Sequence, residues 1–254
     1  MDRMKVLDLF SGIGGFSLGL ERAGMETVAF CEFDKHAQKV LKKHWHDVPI
    51  HEDVRTLDGK QFRGTVNVIC GGFPCQDVSQ AGNKVGVAGS RTNLYTEMLR
   101  VISECLPKYA IFENVTGLLS GDNGRWFARF LYDLAQIGYD AEWHCISASY
   151  IGAPHHRDRV WIIAYPNGNG RPKVALQNIS SNGGEAEKRW ASINAGPLVG
   201  NGSWQDWEKQ SGVQLVVDGV PGMAHACKQL GNSVVPQIPE IIGRAIIDCE
   251  MSNG

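Results

Sequence analysis

The sequence lacks the patterns that would indicate a membrane segment or a metal site. A membrane-spanning helix needs about 18 to 20 consecutive apolar residues, and no apolar run in these 254 residues approaches that length. The seven cysteines are odd in number and show no Cys-x-x-Cys or Cys/His spacing, which argues against a disulfide framework and against bound zinc. We therefore expect no membrane association, no metal, and cysteines that are mostly buried.

An excess of positive charge is also missing. The chain has 25 basic and 27 acidic residues, which gives a formal net charge of −2. Proteins that bind nucleic acids usually carry a basic patch. A nucleic acid would therefore have to bind this chain at a local cluster of basic residues. Basic residues outnumber acidic ones from His155 to Lys173, which gives weak support to a nucleic-acid partner.

The N-terminus passes from Met1 into a strand-like segment, without the apolar stretch and small-residue cleavage site of a signal peptide. With 43% hydrophobic and 20% charged residues, the composition is ordinary for a soluble globular protein. The length suits one large domain, or one domain with a small appendage. We therefore expect a cytoplasmic protein with a sizeable core.

Short apolar runs alternate with amphipathic stretches over the first 165 residues. This alternation predicts an α/β fold, a doubly wound and mostly parallel sheet with helices on both faces. The predicted strands are Lys5–Phe10, Thr27–Glu32, Val66–Gly71, Tyr109–Asn114, Ala141–Ser147 and Arg159–Tyr165, with a further short strand ending near Asp53. The predicted helices are Ser17–Ala23, Lys35–Trp45, Asn93–Leu106, Gly124–Ile137 and, near the C-terminus, Gln237–Cys249.

The alternation stops between Pro166 and about Gly222, where Gly, Asn, Ser and Trp predominate. Such a composition predicts loops, and loops often carry recognition. The tryptophans of this segment argue against a purely flexible linker. We therefore predict a main domain of residues 1–165 and 223–254 and a small irregular subdomain of residues 166–222, with the last helix packed back on the main domain.

The run from Leu7 to Phe16 reads as a strand, a glycine turn and a helix. Such a turn lets a ligand approach backbone N–H groups, but the spacing is not G-x-G-x-x-G, which disfavours a nicotinamide dinucleotide. Glu32 and Asp53 follow the next strands, where carboxylates of a doubly wound fold can bind ribose hydroxyls and an adenine amine. A structural turn and two surface acids are the alternative interpretation.

Cys75 lies in the run from Gly71 to Gln76, directly after a predicted strand, so its thiol is placed to be exposed. A thiol pKa of about 8.5 leaves little thiolate at neutral pH, so a nucleophile there needs a positive or desolvating neighbourhood. Glu113, near the end of the following strand, can protonate a ring nitrogen if burial raises its pKa. Arg157 and Arg159 suit phosphate or carbonyl oxygens, and otherwise they are surface arginines.

Taken in order, these motifs resemble those of the cytosine-5 DNA methyltransferase family of bacteria and phages. The resemblance covers residues 5–165 and 226–247. It is carried by DLFSGIGG, Glu32, Asp53, GGFPCQ, Arg91 to Tyr95, ENV, the Arg157-x-Arg159 pair and the run from Gln229 to Pro236. It implies a class I, Rossmann-like methyltransferase fold, with a target-recognition subdomain (residues 166–222) that is short for the family.

The resemblance implies S-adenosyl-L-methionine as the methyl donor and S-adenosyl-L-homocysteine as the product. The residues it assigns to cofactor binding are Phe10, Gly12, Ile13, Gly14, Glu32, Phe33, Asp53, Val54, Gly72, Pro74, Leu94, Asn232 and Ser233. The residues it assigns to catalysis are Cys75, Glu113, Arg157 and Arg159. The residues it assigns to DNA binding are Gln76, Ser79, Arg91 and Asn114.

By the same resemblance, the activity is transfer of a methyl group to C5 of a cytosine in a specific double-stranded DNA sequence. The target base is flipped out, because C6 is inaccessible in a stacked duplex, and Cys75 bonds covalently to C6. The expected protein is a monomer in a restriction-modification context, with a cognate restriction endonuclease that is not a physical partner. Two alternatives stay open: a tRNA cytosine-5 methyltransferase of the same family, and a catalytically silent regulator that binds cofactor or DNA.

Replacement of Cys75 by serine tests the assigned nucleophile. We predict that Cys75→Ser abolishes methyl transfer and leaves cofactor affinity largely intact, because a hydroxyl is a much weaker nucleophile than a thiolate. Transfer of a radiolabelled methyl group and calorimetric titration with S-adenosyl-L-homocysteine measure the two properties. Loss of both together would mean that Cys75 is structural.

Overall fold

The computed structural model describes residues 2–74, 94–151, 157–168 and 233–252. Its centre is a seven-stranded sheet in the order β3-β2-β1-β4-β5-β7-β6. The strands are β1 (Lys5–Leu9), β2 (Glu26–Cys31), β3 (Ile50–His51), β4 (Val68–Gly71), β5 (Tyr109–Val115), β6 (Tyr139–Ser147) and β7 (Asp158–Pro166). Strands β2 and β3 extend the sheet on one side of β1, and the later strands extend it on the other side. This order confirms the predicted doubly wound fold.

The strand β7 runs against its neighbours. Strands β1 to β5 pair in parallel, whereas β7 is antiparallel to both β5 and β6. Parallel neighbours need a crossover of about a dozen residues or more, usually with a helix. The link from Ser147 to Asp158 is shorter than that, so β6 and β7 form an antiparallel pair.

Helices cover both faces of the sheet. They are α1 (Gly15–Arg22), α2 (Lys35–His44), α3 (Leu94–Cys105), α4 (Gly117–Ser120), α5 (Arg125–Gln136) and α6 (Gln237–Ser252), with 3-10 turns at Gly59–Phe62 and Ala148–Ile151. On one face Val6 packs in a core with residues of α1 and α6. On the other, Leu7 packs in a core with residues of α3 and α5. Neighbouring residues of β1 thus enter different cores because strand side chains alternate between faces.

The last helix packs closely on α1 because α1 carries glycines at the contact. A Cβ at Gly15 would lie 2.5 Å from the carbonyl oxygen of Val234, and one at Gly19 would lie 2.2 Å from that of Pro236. Real Cβ atoms do not approach so closely, so both positions require glycine. The start of α6 is therefore fixed against the helix that follows β1, as the apolar spacing of α6 predicts.

Most predicted boundaries lie within two residues of the observed ones, and α6 extends three residues further, to Ser252. The short helix α4 and the two 3-10 turns are not predicted, because four residues are too few to show a helical period. Among the described helices, none is both long and apolar enough to cross a membrane. Residues 169–222 lie outside the described part, so the division into domains stays a prediction.

Replacement of Gly19 by alanine tests the contact between α1 and α6. Alanine favours a helix interior over glycine by about 1 kcal/mol, yet its methyl group has no space here. We predict that Gly19→Ala lowers the free energy of unfolding by about 1 to 3 kcal/mol, as overpacking does. Urea denaturation followed by circular dichroism measures it. Gly117→Ala is the control, because among the described residues its Cβ would meet only Val115, at 3.9 Å. Equal stabilities of the two variants would contradict the prediction.

Candidate active site

The five parallel strands end side by side at one edge of the sheet. In a doubly wound fold, the crevice at the carboxyl ends of the strands is where ligands bind. Glu32 directly follows β2, Gly72 directly follows β4, and Glu113 lies near the end of β5. Together with the glycine turn that follows β1 (residues 10–14), these residues bring the predicted motifs to one crevice.

The turn that follows β1 has an unusual backbone. Phe10 and Gly12 have φ angles of 53° and 54°, and Gly14 has 88°, in the left-handed region that glycine adopts at least cost. Gly14 also needs its small size, since a Cβ would lie 2.6 Å from the Trp45 ring. The N–H of Gly12 donates to Oε2 of Glu32 at 2.7 Å, so the turn is tied to the end of β2.

The Glu32 carboxylate is held by backbone groups on both sides. While Oε2 accepts from Gly12, Oε1 accepts from the N–H of Asp34 at 2.7 Å. The side-chain amide of Gln38 donates to the carbonyl oxygen of Glu32 at 2.5 Å. An ionised carboxylate has about four acceptor sites, so both oxygens of Glu32 can still accept from the hydroxyls of a ligand.

A buried carboxyl group, Asp8, lies beneath the glycine turn. Its Oδ2 accepts hydrogen bonds from the hydroxyl of Ser17 at 2.7 Å and from the N–H of Ser17 at 3.3 Å. Burial raises the pKa of Asp8 to about 7, against the lowering effect of these bonds. The site residues predicted from the sequence do not include Asp8 or Ser17. The available signal was an acid inside an apolar strand, which needs a partner when buried.

Asp53 and Val54 lie just beyond β3. The Val54 side chain is buried, while the Asp53 carboxylate is partly exposed and forms an ion pair with Arg55, whose Nη2 lies 2.6 Å from Oδ2. Hydrogen bonds from Arg55 lower the pKa of Asp53, which keeps it anionic at neutral pH. Phe33, the residue after Glu32, is 72% exposed, so its ring is available for stacking on a ligand.

Glu113 forms an ion pair with Arg159 at the end of β5. The Nε of Arg159 lies 2.9 Å from Oε1 of Glu113, and their side chains are only 21% and 12% exposed. Burial raises the pKa of Glu113, although Arg159 and Arg157 lower it. Glu113 is therefore protonated more readily than an ordinary glutamate while it stays beside a cation.

The turn that follows β4 is fixed by the end of β5. The side-chain amide of the buried Asn114 donates to the carbonyl oxygen of Phe73 at 2.9 Å. A Cβ at Gly72 would lie 3.2 Å from Oε2 of Glu113, so the absence of a side chain lets the backbone pass the carboxyl group closely. The same turn ends at the exposed Pro74, which directly precedes Cys75 in the chain.

The remaining predicted residues fall into two groups. Arg157 is half-buried and its Nη2 donates to the carbonyl oxygen of Ser233 at 3.1 Å, which links β7 to the segment before α6. Ile13 and Leu94 are half-buried, the first in the glycine turn and the second at the start of α3. Five predicted residues lie outside the described part of the chain: Cys75, Gln76, Ser79, Arg91 and Asn232.

Comparison with known proteins gives consistent matches. A family model described as C-5 cytosine-specific DNA methylase matches residues 4–208. The Type II methyltransferase M.Eco47II of Escherichia coli is 40% identical over 164 residues, which are 64% of this chain and 39% of that protein. M1.ScrFI of Lactococcus lactis subsp. cremoris, also a Type II methyltransferase, is 37% identical over 164 residues, 64% of this chain and 42% of its own length. The matched segment thus spans about two fifths of these curated relatives.

A solved structure shares the fold. An E. coli protein encoded within a prophage and described as a DNA modification methyltransferase superposes with a TM-score of 0.53 at 30% identity, covering 64% of this chain and 47% of its own. The mostly parallel seven-stranded sheet is that of class I methyltransferases dependent on S-adenosyl-L-methionine. Because the family model matches most of the sequence, the chain belongs to the C-5 cytosine-specific DNA methylase family.

Proposed function

We propose that this protein transfers the methyl group of S-adenosyl-L-methionine to C5 of a flipped-out cytosine in a specific double-stranded DNA sequence. The observation that supports this most is the buried ion pair of Glu113 and Arg159, which lies against Gly72, three residues before Cys75. A proton donor and a cation beside the turn that leads to Cys75 suit chemistry on a pyrimidine ring. The family to which the chain belongs supports the same reaction.

The crevice residues fit the proposed cofactor. Glu32 has acceptor capacity for two ribose hydroxyls, and Phe33 offers a ring face to the adenine. Asp53 would accept from the adenine amine in place of a hydrogen bond from the Arg55 side chain, which donates to both of its oxygens. The left-handed turn through Gly12 and Gly14 lets the methionine part approach the backbone. The other cofactor contacts in the proposal are Phe10, Ile13, Val54, Gly72, Pro74, Leu94, Asn232 and Ser233. When bound, the cofactor supplies an electrophilic methyl group on a sulfonium centre.

The residues of the chain would activate the cytosine, whose C5 is too weak a nucleophile unaided. The Cys75 thiolate adds to C6 while Glu113 donates a proton to N3, so that C5 becomes an enamine carbon. Once C5 carries the methyl group, its proton leaves to a base, the bond from Cys75 to C6 breaks, and the N3 proton returns to Glu113. Covalent catalysis replaces one difficult step with easier ones.

The arginines have separate tasks in this proposal. Arg159 holds the O2 carbonyl of the flipped base while it sets the proton affinity of Glu113. Arg157 supports the pocket from behind, through the carbonyl oxygen of Ser233. Gln76, Ser79, Arg91 and Asn114 are the proposed contacts to the substrate DNA. Target recognition by residues 166–222, a monomeric state, a cytoplasmic location and a cognate restriction endonuclease complete the proposal.

The direct test of this function offers two substrates to the same enzyme. Purified protein is incubated with S-adenosyl-L-methionine carrying a radiolabelled methyl group and with either duplex DNA of mixed sequence or bulk tRNA. We expect label in DNA, at C5 of cytosine after nucleoside digestion. Label in tRNA alone would contradict the DNA assignment, and label in neither, with cofactor binding retained, would indicate a silent regulator.

The proton affinity of Glu113 predicts how stability varies with pH. Folding raises the pKa of Glu113. The contribution of the Glu113 carboxyl group to the free energy of unfolding is therefore fully present below its ordinary pKa of about 4.5. This contribution is lost as the pH rises through the pKa of Glu113 in the folded protein. Arg159→Met removes the cation that lowers this pKa. We predict that the stability lost by the variant grows as the pH rises through the folded pKa of Glu113 in the wild type and reaches about 3 kcal/mol at neutral pH.

Urea denaturation of both proteins at a series of pH values measures this difference. Arg125→Met is the control, because Arg125 is exposed and pairs with Asp122 away from the crevice. Its difference from the wild type should stay small at every pH. If the cost of Arg159→Met were the same at pH 4.5 and at pH 7.5, Arg159 would not set the pKa of Glu113.

A further inference from the structure

Arg100 of α3 donates to four acceptors, two of them on the segment that follows β3 and two on α3 itself. Its Nη2 lies 2.8 Å from the carbonyl oxygen of Val54, and its Nη1 lies 3.0 Å from that of Leu57. Its Nε lies 2.7 Å from Glu97, and Nη1 also lies 2.9 Å from Glu104. The guanidinium therefore joins two backbone carbonyl groups of one turn to two carboxylates of its own helix.

This arrangement uses the shape of the guanidinium as well as its charge. Glu97 and Glu104 neutralise the cation, so that their hydrogen bonds outweigh burial and raise the pKa of Arg100. The planar fork directs several N–H groups at once, whereas a lysine ammonium is a compact point charge on a flexible stem. Lysine at this position could keep the charge balance, but it could not hold both carbonyl groups.

The far end of the same segment is held by Glu104. Its Oε2, which accepts from Arg100, also accepts from the N–H of Gly59 at 2.8 Å. A Cβ at Gly59 would lie 2.7 Å from the carbonyl oxygen of Val101, so the backbone meets α3 directly. Residues 54–59 are therefore fixed to α3 at both ends.

The apolar side chains of the segment would not define its orientation by themselves. Val54 and Leu57 are 4% and 3% exposed and pack in the core beneath α3, but hydrophobic contact is not directional. The carbonyl groups of the same two residues are each fixed by Arg100. Asp53 directly precedes the first of them, and its own carbonyl oxygen accepts from the N–H of Thr56 at 3.1 Å.

We propose that Arg100 is a positioning residue that orients the turn of residues 53–57, so that Asp53 selects the 6-amino group of the adenine of S-adenosyl-L-methionine. Arg100 acts through the backbone and does not touch the cofactor. The inference rests on the proposed function, because it assigns the crevice beside Asp53 to the adenine. The inference extends the cofactor site to Arg100, which lies on helix α3 and not on the segment that carries Asp53.

The test compares two ligands that differ at the 6-position of the purine. S-adenosyl-L-homocysteine has an amine there, which Asp53 can accept from, and S-inosyl-L-homocysteine has a carbonyl oxygen. Calorimetric titration gives the preference of each protein for the first ligand over the second. A loss of overall folding weakens the binding of both ligands alike. The preference for the amine over the carbonyl oxygen therefore reports on the orientation of Asp53.

We expect Arg100→Lys and Arg100→Met to weaken the binding of S-adenosyl-L-homocysteine about tenfold. The preference for this ligand over S-inosyl-L-homocysteine should fall by a similar factor. The turnover rate at saturating cofactor should stay within about twofold of the wild type. Arg100→Lys retains the charge beside Glu97 and Glu104 and decides the matter if Arg100→Met is poorly folded by circular dichroism. Unchanged preference in folded Arg100→Lys would overturn the inference.

Two controls separate this inference from the proposed function. Asp53→Ala should abolish the preference with Arg100 intact, and Arg125→Met, which removes an exposed arginine from α5, should leave it unchanged. A wild type that binds neither ligand, or an Asp53→Ala protein that keeps the preference, would refute the proposed adenine site itself. If Asp53→Ala loses the preference and both Arg100 variants keep it, only the positioning role fails.

Discussion

The pairing of Glu113 with Arg159 depends on the reversed direction of β7. Arg159 lies near the start of β7 and Glu113 near the end of β5, and the antiparallel register places Val115 opposite Arg159. A parallel strand in this position would carry Arg159 to the other edge of the sheet, away from the crevice. The ion pair, the lowering effect of Arg159 on the pKa of Glu113 and the proposed protonation of the base all follow from this one strand direction.

Burial and neighbouring charge shift the pKa values of three carboxyl groups, those of Asp8, Glu113 and Asp53, in different ways. Asp8 is fully buried, no cation of the described residues lowers its pKa, and burial raises this pKa to about 7. Glu113 is also buried, but two arginines oppose the increase in its pKa. Asp53 is more exposed and meets Arg55, whose hydrogen bonds lower its pKa. One crevice can therefore hold a group that gives up a proton and another that stays anionic to accept a hydrogen bond.

Much of the fold could be predicted because it depends on local patterns. Apolar runs mark the strands, and the polar residues that follow them mark the crevice, which is how Glu32 and Glu113 were found. The direction of β7 could not be read in this way, because it depends on how chain segments pair. The same holds for Arg100: its spacing to Glu97 and Glu104 is visible in the sequence, but its bonds to the segment after β3 exist only in the folded chain.

The assignment of Cys75 depends on its motif and on Glu113, which lies against Gly72, three residues before Cys75 in the chain. The central claim is that this cysteine bonds to C6 of cytosine in DNA. Duplex DNA that contains 5-fluorocytosine tests it most directly, because fluorine at C5 blocks the elimination step and traps the intermediate. In the presence of S-adenosyl-L-methionine, we predict a covalent adduct that survives denaturation and maps to Cys75 by mass spectrometry. No adduct, or an adduct at another cysteine such as the exposed Cys145, would contradict the account.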